Sequence, residues 1–360
     1  MTVRVGAVGA GWWATSNHFP ILAARDDVEL VGVCGIGPEL EAVREQFGFG
    51  FATTDYDELL AQDLDAVVIT TPHDLHYPQA VAAVERGLHV LVEKPVTLEA
   101  WQGWDLERRV REAGVHFLAP YGWNYKPFTL EAKRLVDEGH VGDVQYVLCH
   151  MASPTRGLFA GDTNHIRRLW DSQTSGPDPR TWQTPSRGGG YAHGQITHSS
   201  ALLFWLFDDL RAATVTAKVS TAGAAVDLFD AAVVSFDDGA LGTVSGAATL
   251  PDGNDYQVDL RVFGSEGVLL LDTERERVSL HRYDGQAWDL DIPPGEGAYE
   301  CIVPPNRFID LVAGTSIQNN SDARVAARSI ELIDGMLRSS AAGGIEVDVR
   351  ELAAQEEKTR

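Results

Sequence analysis

Cysteine is scarce: 360 residues contain only Cys34, Cys149 and Cys301. An odd number, widely spaced and without a Cys-x-x-Cys pair, excludes a disulfide framework and the usual structural zinc site. No uninterrupted apolar run is long enough to span a bilayer. Basic residues are also few, with 29 Lys plus Arg against 52 Asp plus Glu and a formal net charge of −23. A surface that acidic repels phosphate backbones and anionic headgroups, which argues against nucleic-acid and membrane partners. The first residues lack the basic-then-apolar pattern of a secretory signal. These absences predict a soluble, cytoplasmic chain with reduced thiols. What is present is ordinary for a globular protein, 44% hydrophobic and 22% charged, at a length that suggests about two domains.

Short apolar runs alternate with helical patterns in the first third. Strands are expected at 3–8, 29–34, 65–70, 89–92 and 116–119, and helices from the first glycine turn to about Ala24 and at 38–47, 78–86 and 98–113. Near-continuous apolar strands separated by helices mean a parallel sheet covered on both faces, the doubly wound Rossmann architecture. After about Tyr125 the pattern changes. A helix at 129–138 and a strand at 144–151 precede an irregular stretch, 152–190, of a length that is usually functional. A helix at 197–207 then leads into six strands with little helix between them, and helices at 307–312 and 322–339 close the chain. The fold class expected is α/β: an N-terminal Rossmann sheet, residues 1–123, plus a C-terminal α+β domain, residues 124–360, with a large, mostly antiparallel open sheet. Alternating apolar positions such as Val233, Leu241, Val244, Val258, Leu260 and Val262 suggest that a second copy of that sheet covers its free face, giving a dimer or tetramer.

Gly9-Ala10-Gly11-Trp12-Trp13-Ala14 has the form G-x-G-x-x-A directly after the first strand. Gly9 suits a tight turn, Gly11 lets the backbone approach a pyrophosphate, and the following helix N-terminus offers free N–H groups. The strand–turn–helix context favours dinucleotide binding over a purely structural turn. The second strand ends Cys34-Gly35-Ile36-Gly37, without the acid that usually holds a ribose 2′-hydroxyl and without a nearby cation for a 2′-phosphate; Glu39 is the nearest acid. The missing cation favours NAD, with NADP as the alternative.

Glu93-Lys94-Pro95 after the 89–92 strand, together with Thr71-Pro72-His73, makes the chain resemble the Gfo/Idh/MocA oxidoreductases. His18-Phe19-Pro20-Ile21-Leu22, Tyr121-Gly122-Trp123-Asn124, the Gly188-Gly189-Gly190…His198 run and the C-terminal helices agree, so the resemblance covers nearly the whole chain. It implies hydride transfer between a nicotinamide and a hydroxyl-bearing carbon of a sugar or cyclitol. Lys94 would hold the reacting hydroxyl, Pro95 would fix its backbone, often through a cis peptide, and His198 would be the general base, titrating near working pH. Trp12, Trp13, Gly35, His73, His76, Glu93 and Asn124 are the further expected cofactor contacts, and Tyr121 and Asn124 candidate substrate contacts. One departure matters: the family places Asp four residues before the histidine, and this chain has Gly194. His193, Gln195 or Tyr191 is expected to supply the missing polar group.

Arg156, Arg167, Arg168, Trp170, Arg180, Trp182 and Arg187 crowd the long irregular stretch. Indole faces suit a sugar ring and arginine forks an acidic substituent, so an anionic sugar is one expectation; pairing of these arginines with the abundant acids is the other. A redox-neutral glycosidase, which oxidises, eliminates, hydrates and reduces again, would need extra acid–base groups such as Tyr191, His193, Tyr121 or Tyr125, and a sulfoquinovoside would suit its arginines. A non-catalytic nucleotide sensor is the third alternative. His73 and His76, or Cys149 beside His150, do not make a ligand set, so no metal is expected.

Overall fold

The computed structural model describes residues 2–162, 176–251 and 253–354. Its first sheet is six-stranded: β1 Val3–Val8, β2 Val28–Cys34, β3 Phe51–Thr53, β4 Ala66–Ile69, β5 His89–Val92 and β6 Phe117–Leu118, in the order β3-β2-β1-β4-β5-β6. Every pairing is parallel. β4 is buried at all four positions, which is why it reads as an unbroken apolar run. Strand order reverses between β1 and β4, and a crevice opens at their carboxyl ends, where open α/β sheets bind ligands.

Three local features differ from the sequence reading. β3 and the helix Tyr56–Leu60 lie in a stretch assigned no element. The strand is only three residues long, and the helix starts at Asp55, whose side chain accepts from the Asp57 and Glu58 N–H groups. The first helix opens with π-type turns at Ala14–His18 before Phe19–Ala23; Pro20 has no N–H to give the α-helical ladder. The helix expected from Pro38 begins at Leu40, with Glu39 as its N-cap.

The second sheet has nine strands, adding β7 Val144–Ala152, β8 Ala212–Ser220, β9 Phe229–Phe236, β10 Leu241–Ala247, β11 Gln257–Gly264, β12 Gly267–Asp272, β13 Arg277–Arg282, β14 Ala287–Leu290 and β15 Val347–Asp348. The order is β14-β13-β12-β11-β7-β10-β9-β8-β15, antiparallel except for β7 with β10. Val244, Val258, Leu260 and Val262 are buried on the sheet face where the helix Thr197–Leu206 packs on β7 and β11 and the helix Ala323–Ala341 packs on β8. Val233 and Leu241 point the other way, 57% and 53% exposed, beside Tyr146 and Phe263 on the uncovered face.

The helix expected at 307–312 runs Val303–Val312, with Pro304 and Pro305 in its first turn, where prolines are tolerated. It packs against the first sheet, adding Phe308, Ile309 and Leu311 to that sheet's core. In the 152–190 stretch the described residues hold short helical turns at Arg156–Ala160, Pro179–Trp182 and Pro185–Arg187.

Candidate active site

A cleft of ≈820 Å³ runs from the glycine turn of β1 to the inner helices of the second sheet. At its first end Gly9 has φ +96°, and a Cβ there would lie 2.5 Å from the Thr70 carbonyl carbon, so the turn requires glycine. Thr70 Oγ1 closes the turn by donating to the Gly9 carbonyl at 2.7 Å. Nothing lies within 4 Å of where a Gly11 Cβ would be, which leaves main-chain N–H groups open to a pyrophosphate. Gly35, Ile36, Glu39, Thr71, Pro72, His73 and His76 continue this wall. The residues present therefore fit a dinucleotide. His73 Nδ1 lies 2.9 Å from the Gly188 carbonyl, and the two ring nitrogens of His76 lie 2.8 Å from the Pro95 and Thr71 carbonyls. These imidazoles brace the segments around the cleft. Among the described residues no group of three or more His, Cys, Asp or Glu could hold a metal ion.

At the other end stands Lys94, joined to Pro95 by a cis peptide and 8% exposed. Its neighbour Glu93 is buried and fully engaged. Glu93 Oε1 accepts the Trp13 indole N–H at 2.6 Å and lies 2.7 Å from His18 Nε2, while Oε2 accepts the Lys94 main-chain N–H at 2.9 Å. Burial pushes this carboxyl upward, but the His18 bond and the charges of His18 and Lys94 outweigh it, so its pKa falls below the ordinary value. Glu93 thus fixes the strand end while also lining the cleft. The Lys94 ammonium donates to the Gly194 carbonyl at 3.1 Å and sits 5.9 Å and 5.8 Å from the ring centres of Trp13 and Trp182. Burial lowers its pKa, opposed by Glu93.

His198 lines the same cleft on the helix Thr197–Leu206, with edge contacts to Tyr121, Trp123 and Tyr299. Its Nδ1 is buried without a partner, which leaves Nε2 as the nitrogen open to the cleft. The expectation of an ordinary imidazole pKa is corrected: burial and then the Lys94 charge push it well below the usual value. Lys94 reaches the main-chain oxygen of Gly194, four residues before His198, and both side chains line the one cleft.

The departure at Gly194 has a packing cause. A Cβ there would lie 2.7 Å from the Phe159 ring, so a carboxylate would have to displace that ring, and Lys94 takes the main-chain oxygen instead. Two of the three expected substitutes do not reach the cleft. Tyr191 is fully buried, with its hydroxyl on Ser153 and the Met151 carbonyl. His193 Nε2 lies 3.2 Å from the Leu98 carbonyl, outside the cleft wall. Gln195 does line it. Asn124 is corrected from a cofactor or substrate contact to a structural pair, since it donates to the Asn320 carbonyl and Asn320 donates back, each at 2.8 Å. Tyr121 supports His198 from behind, its hydroxyl 3.0 Å from that of Thr197, and Tyr125 is tied to Ser321.

Of the arginines, Arg156 is exposed outside the cleft wall. Arg180 pairs with Asp178 at 2.9 Å and Arg187 with Asp74 at 3.0 Å. Arg167, Arg168 and Trp170 lie outside the described residues. Trp182 does reach the cleft. Sequence reasoning missed Tyr256, Tyr299 and Cys301, which also line the cleft. They lie in connecting segments with no periodicity, and no motif marked them.

Residues 3–121 match the family model described as "Oxidoreductase family, NAD-binding Rossmann fold", and residues 129–270 match the GFO/IDH/MocA C-terminal domain. Scyllo-inositol 2-dehydrogenase (NADP(+)) IolW of Bacillus subtilis is 28% identical over 40% of this chain and 40% of its own length. D-xylose 1-dehydrogenase (NADP(+)) 2 of Haloferax volcanii is 31% identical over 68% of this chain and 66% of its own. The match thus spans under half of the first relative and about two thirds of the second. A structure of levoglucosan dehydrogenase in complex with NADH superposes with a TM-score of 0.74 at 20% identity, covering 97% of this chain and 99% of that one, which is a likeness of fold. With both family domains matched in order, this chain belongs to the Gfo/Idh/MocA family of NAD(P)-dependent oxidoreductases.

Proposed function

We propose that the protein is an NAD-dependent dehydrogenase that oxidises a hydroxyl-bearing carbon of a neutral sugar or cyclitol. The observation that carries this is the buried Lys94 ammonium, held between Trp13 and Trp182 in the cleft that His198 also lines. A nicotinamide dinucleotide held by the Gly9–Gly11 turn would supply the hydride acceptor. An ammonium has three N–H donors. One goes to Gly194, so two remain to hold the substrate oxygen and stabilise charge developing on it. His198 Nε2 takes the hydroxyl proton as the C–H hydride departs and the C=O bond forms. A lowered pKa keeps this imidazole neutral and ready to accept.

The walls favour a neutral ring. Trp12, Trp13, Trp123, Trp182, Tyr256 and Tyr299 offer faces for C–H groups. Arg180 and Arg187 already spend their charge on aspartates, and Glu300 and Asp255 add negative potential. The candidate extra acid–base residues for glycoside cleavage, Tyr191, His193, Tyr121 and Tyr125, do not line the cleft, which weakens that alternative. Glu39 on the cofactor wall disfavours a 2′-phosphate, and Arg44, which could have held one, is paired with Glu41 at 2.6 Å. The uncovered face of the second sheet, with Val233, Leu241, Tyr146 and Phe263, supports a homo-oligomer.

The test is incubation with NAD and three panels: neutral sugars and cyclitols, sugar acids, and aryl glycosides. NADH should accumulate with the first panel and not with Lys94→Met. Aglycone release without net NADH, or a preference for sugar acids, would overturn the reading.

A further inference from the structure

A second cleft, of ≈440 Å³, shares no lining residue with the first. It lies between the helix Pro127–Asp137, the end of the helix Thr197–Leu206 and the start of the helix Ala323–Ala341. Arg324 and Arg328, one helical turn apart, both line it. Arg328 is only 4% exposed, and its Nε is buried without any partner. One terminal nitrogen donates to the Asp208 main-chain oxygen. The carboxylates nearby are otherwise engaged. Lys133 holds Asp137 and Asp208, and Asp322 caps the helix by accepting the Val325 N–H at 2.9 Å. Among the described residues neither arginine has a carboxylate within ion-pair distance.

A guanidinium does not shed its proton at any ordinary pH. Burying it with an unused N–H and no counter-charge is costly, and an incoming anion offsets that cost. Burial and the repulsion of Arg324 and Arg211 both press against the charged form of Arg328, with only partial relief from Asp208 and Asp209. The lining carries Lys133, Arg324 and Arg328 against Asp137, Asp208 and Asp322, so the distinguishing feature is the buried, partnerless Nε of Arg328. We infer that this cleft binds a small oxyanion, a carboxylate or phosphate group gripped by Arg324 and Arg328 against the flank of Trp205. The planar fork of arginine matches either group, and a second arginine adds a charge-assisted bond.

The experiment uses the NAD-loaded protein, so that the glycine turn of β1 is occupied and cannot take the probe. Inorganic phosphate and, separately, acetate are titrated against chloride at constant ionic strength, by calorimetry and by thermal melting. Phosphate or acetate should bind saturably with one equivalent and raise Tm by about 2 °C; the tighter of the two identifies the headgroup. Arg324→Ala, at an exposed position, should weaken that binding about tenfold, the loss of one charge-assisted hydrogen bond, and Arg328→Met should abolish it. Non-saturable binding of both anions, or binding unchanged by Arg324→Ala, overturns the site. Neither readout depends on dehydrogenase activity, so the two proposals fail separately.

Discussion

The two ends of the main cleft are built on different principles. The cofactor end is made of main chain: Gly9, Gly11 and a helix start within a few residues of one another. The substrate end is made of side chains from at least five distant segments, including Trp13, Lys94, Trp182, His198 and Tyr299. Main chain presents the same donors whatever the neighbouring side chains are, so that end suits an invariant group such as pyrophosphate. Side chains gathered from afar can be exchanged one at a time, so that end is where specificity is set.

Four experiments sharpen or break that contrast. The largest effect is expected for His198→Asn: kcat should fall by about 10²–10⁴-fold, while NADH affinity, followed by fluorescence, stays within about twofold. A parallel loss of NADH binding would show that the two ends are not separable. Next comes Gly194→Asp, which restores the residue usual in the family. Its side chain meets the Phe159 ring, and overpacking should cost about 1–3 kcal/mol, seen as a lower Tm and a reduced kcat. Glu39→Arg probes the cofactor end alone; the ratio of kcat/KM for NADP over NAD should rise about tenfold or more, the worth of one charge-assisted contact, with substrate KM unmoved. The smallest effect is on the pH profile of kcat/KM for oxidation. His198 must be unprotonated to accept, and burial lowers its pKa, so activity should persist as pH falls through the ordinary imidazole range and decline only below it. The lowered pKa of Lys94 should bring the alkaline decline in below the usual lysine value. An acid limb near pH 6.5, the ordinary imidazole value, would mean that some other group is the base.

The same contrast explains what could be read from the sequence. The parallel sheet announced itself because its strands are buried on both faces, and the glycine turn because only glycine fits position 9. Lys94 and His198 were legible through their motifs, although the cause of the depressed His198 pKa is three-dimensional. Tyr191, His193 and Asn124 looked functional because they neighbour His198 and Trp123 in the chain. The π-type turn Ala192–Ile196 that precedes the helix shifts the register, and Tyr191 and His193 are buried away from the cleft. Tyr256, Tyr299 and Cys301 reach the cleft only through tertiary packing. Of the two readings of the arginine cluster, pairing with acids holds for the described members Arg180 and Arg187, whose partners Asp178 and Asp74 composition alone could not assign.

The helix Val303–Val312 has a consequence for how the polypeptide is made. Phe308, Ile309 and Leu311 belong to the interior of a sheet whose last strand, Phe117–Leu118, leaves the ribosome far earlier. At about 5–20 residues per second, that interior stays unsealed for roughly 10–40 s of synthesis. The nascent N-terminal half is therefore a natural client for whatever shields apolar surface during translation, and expressing it alone would leave the seam permanently open.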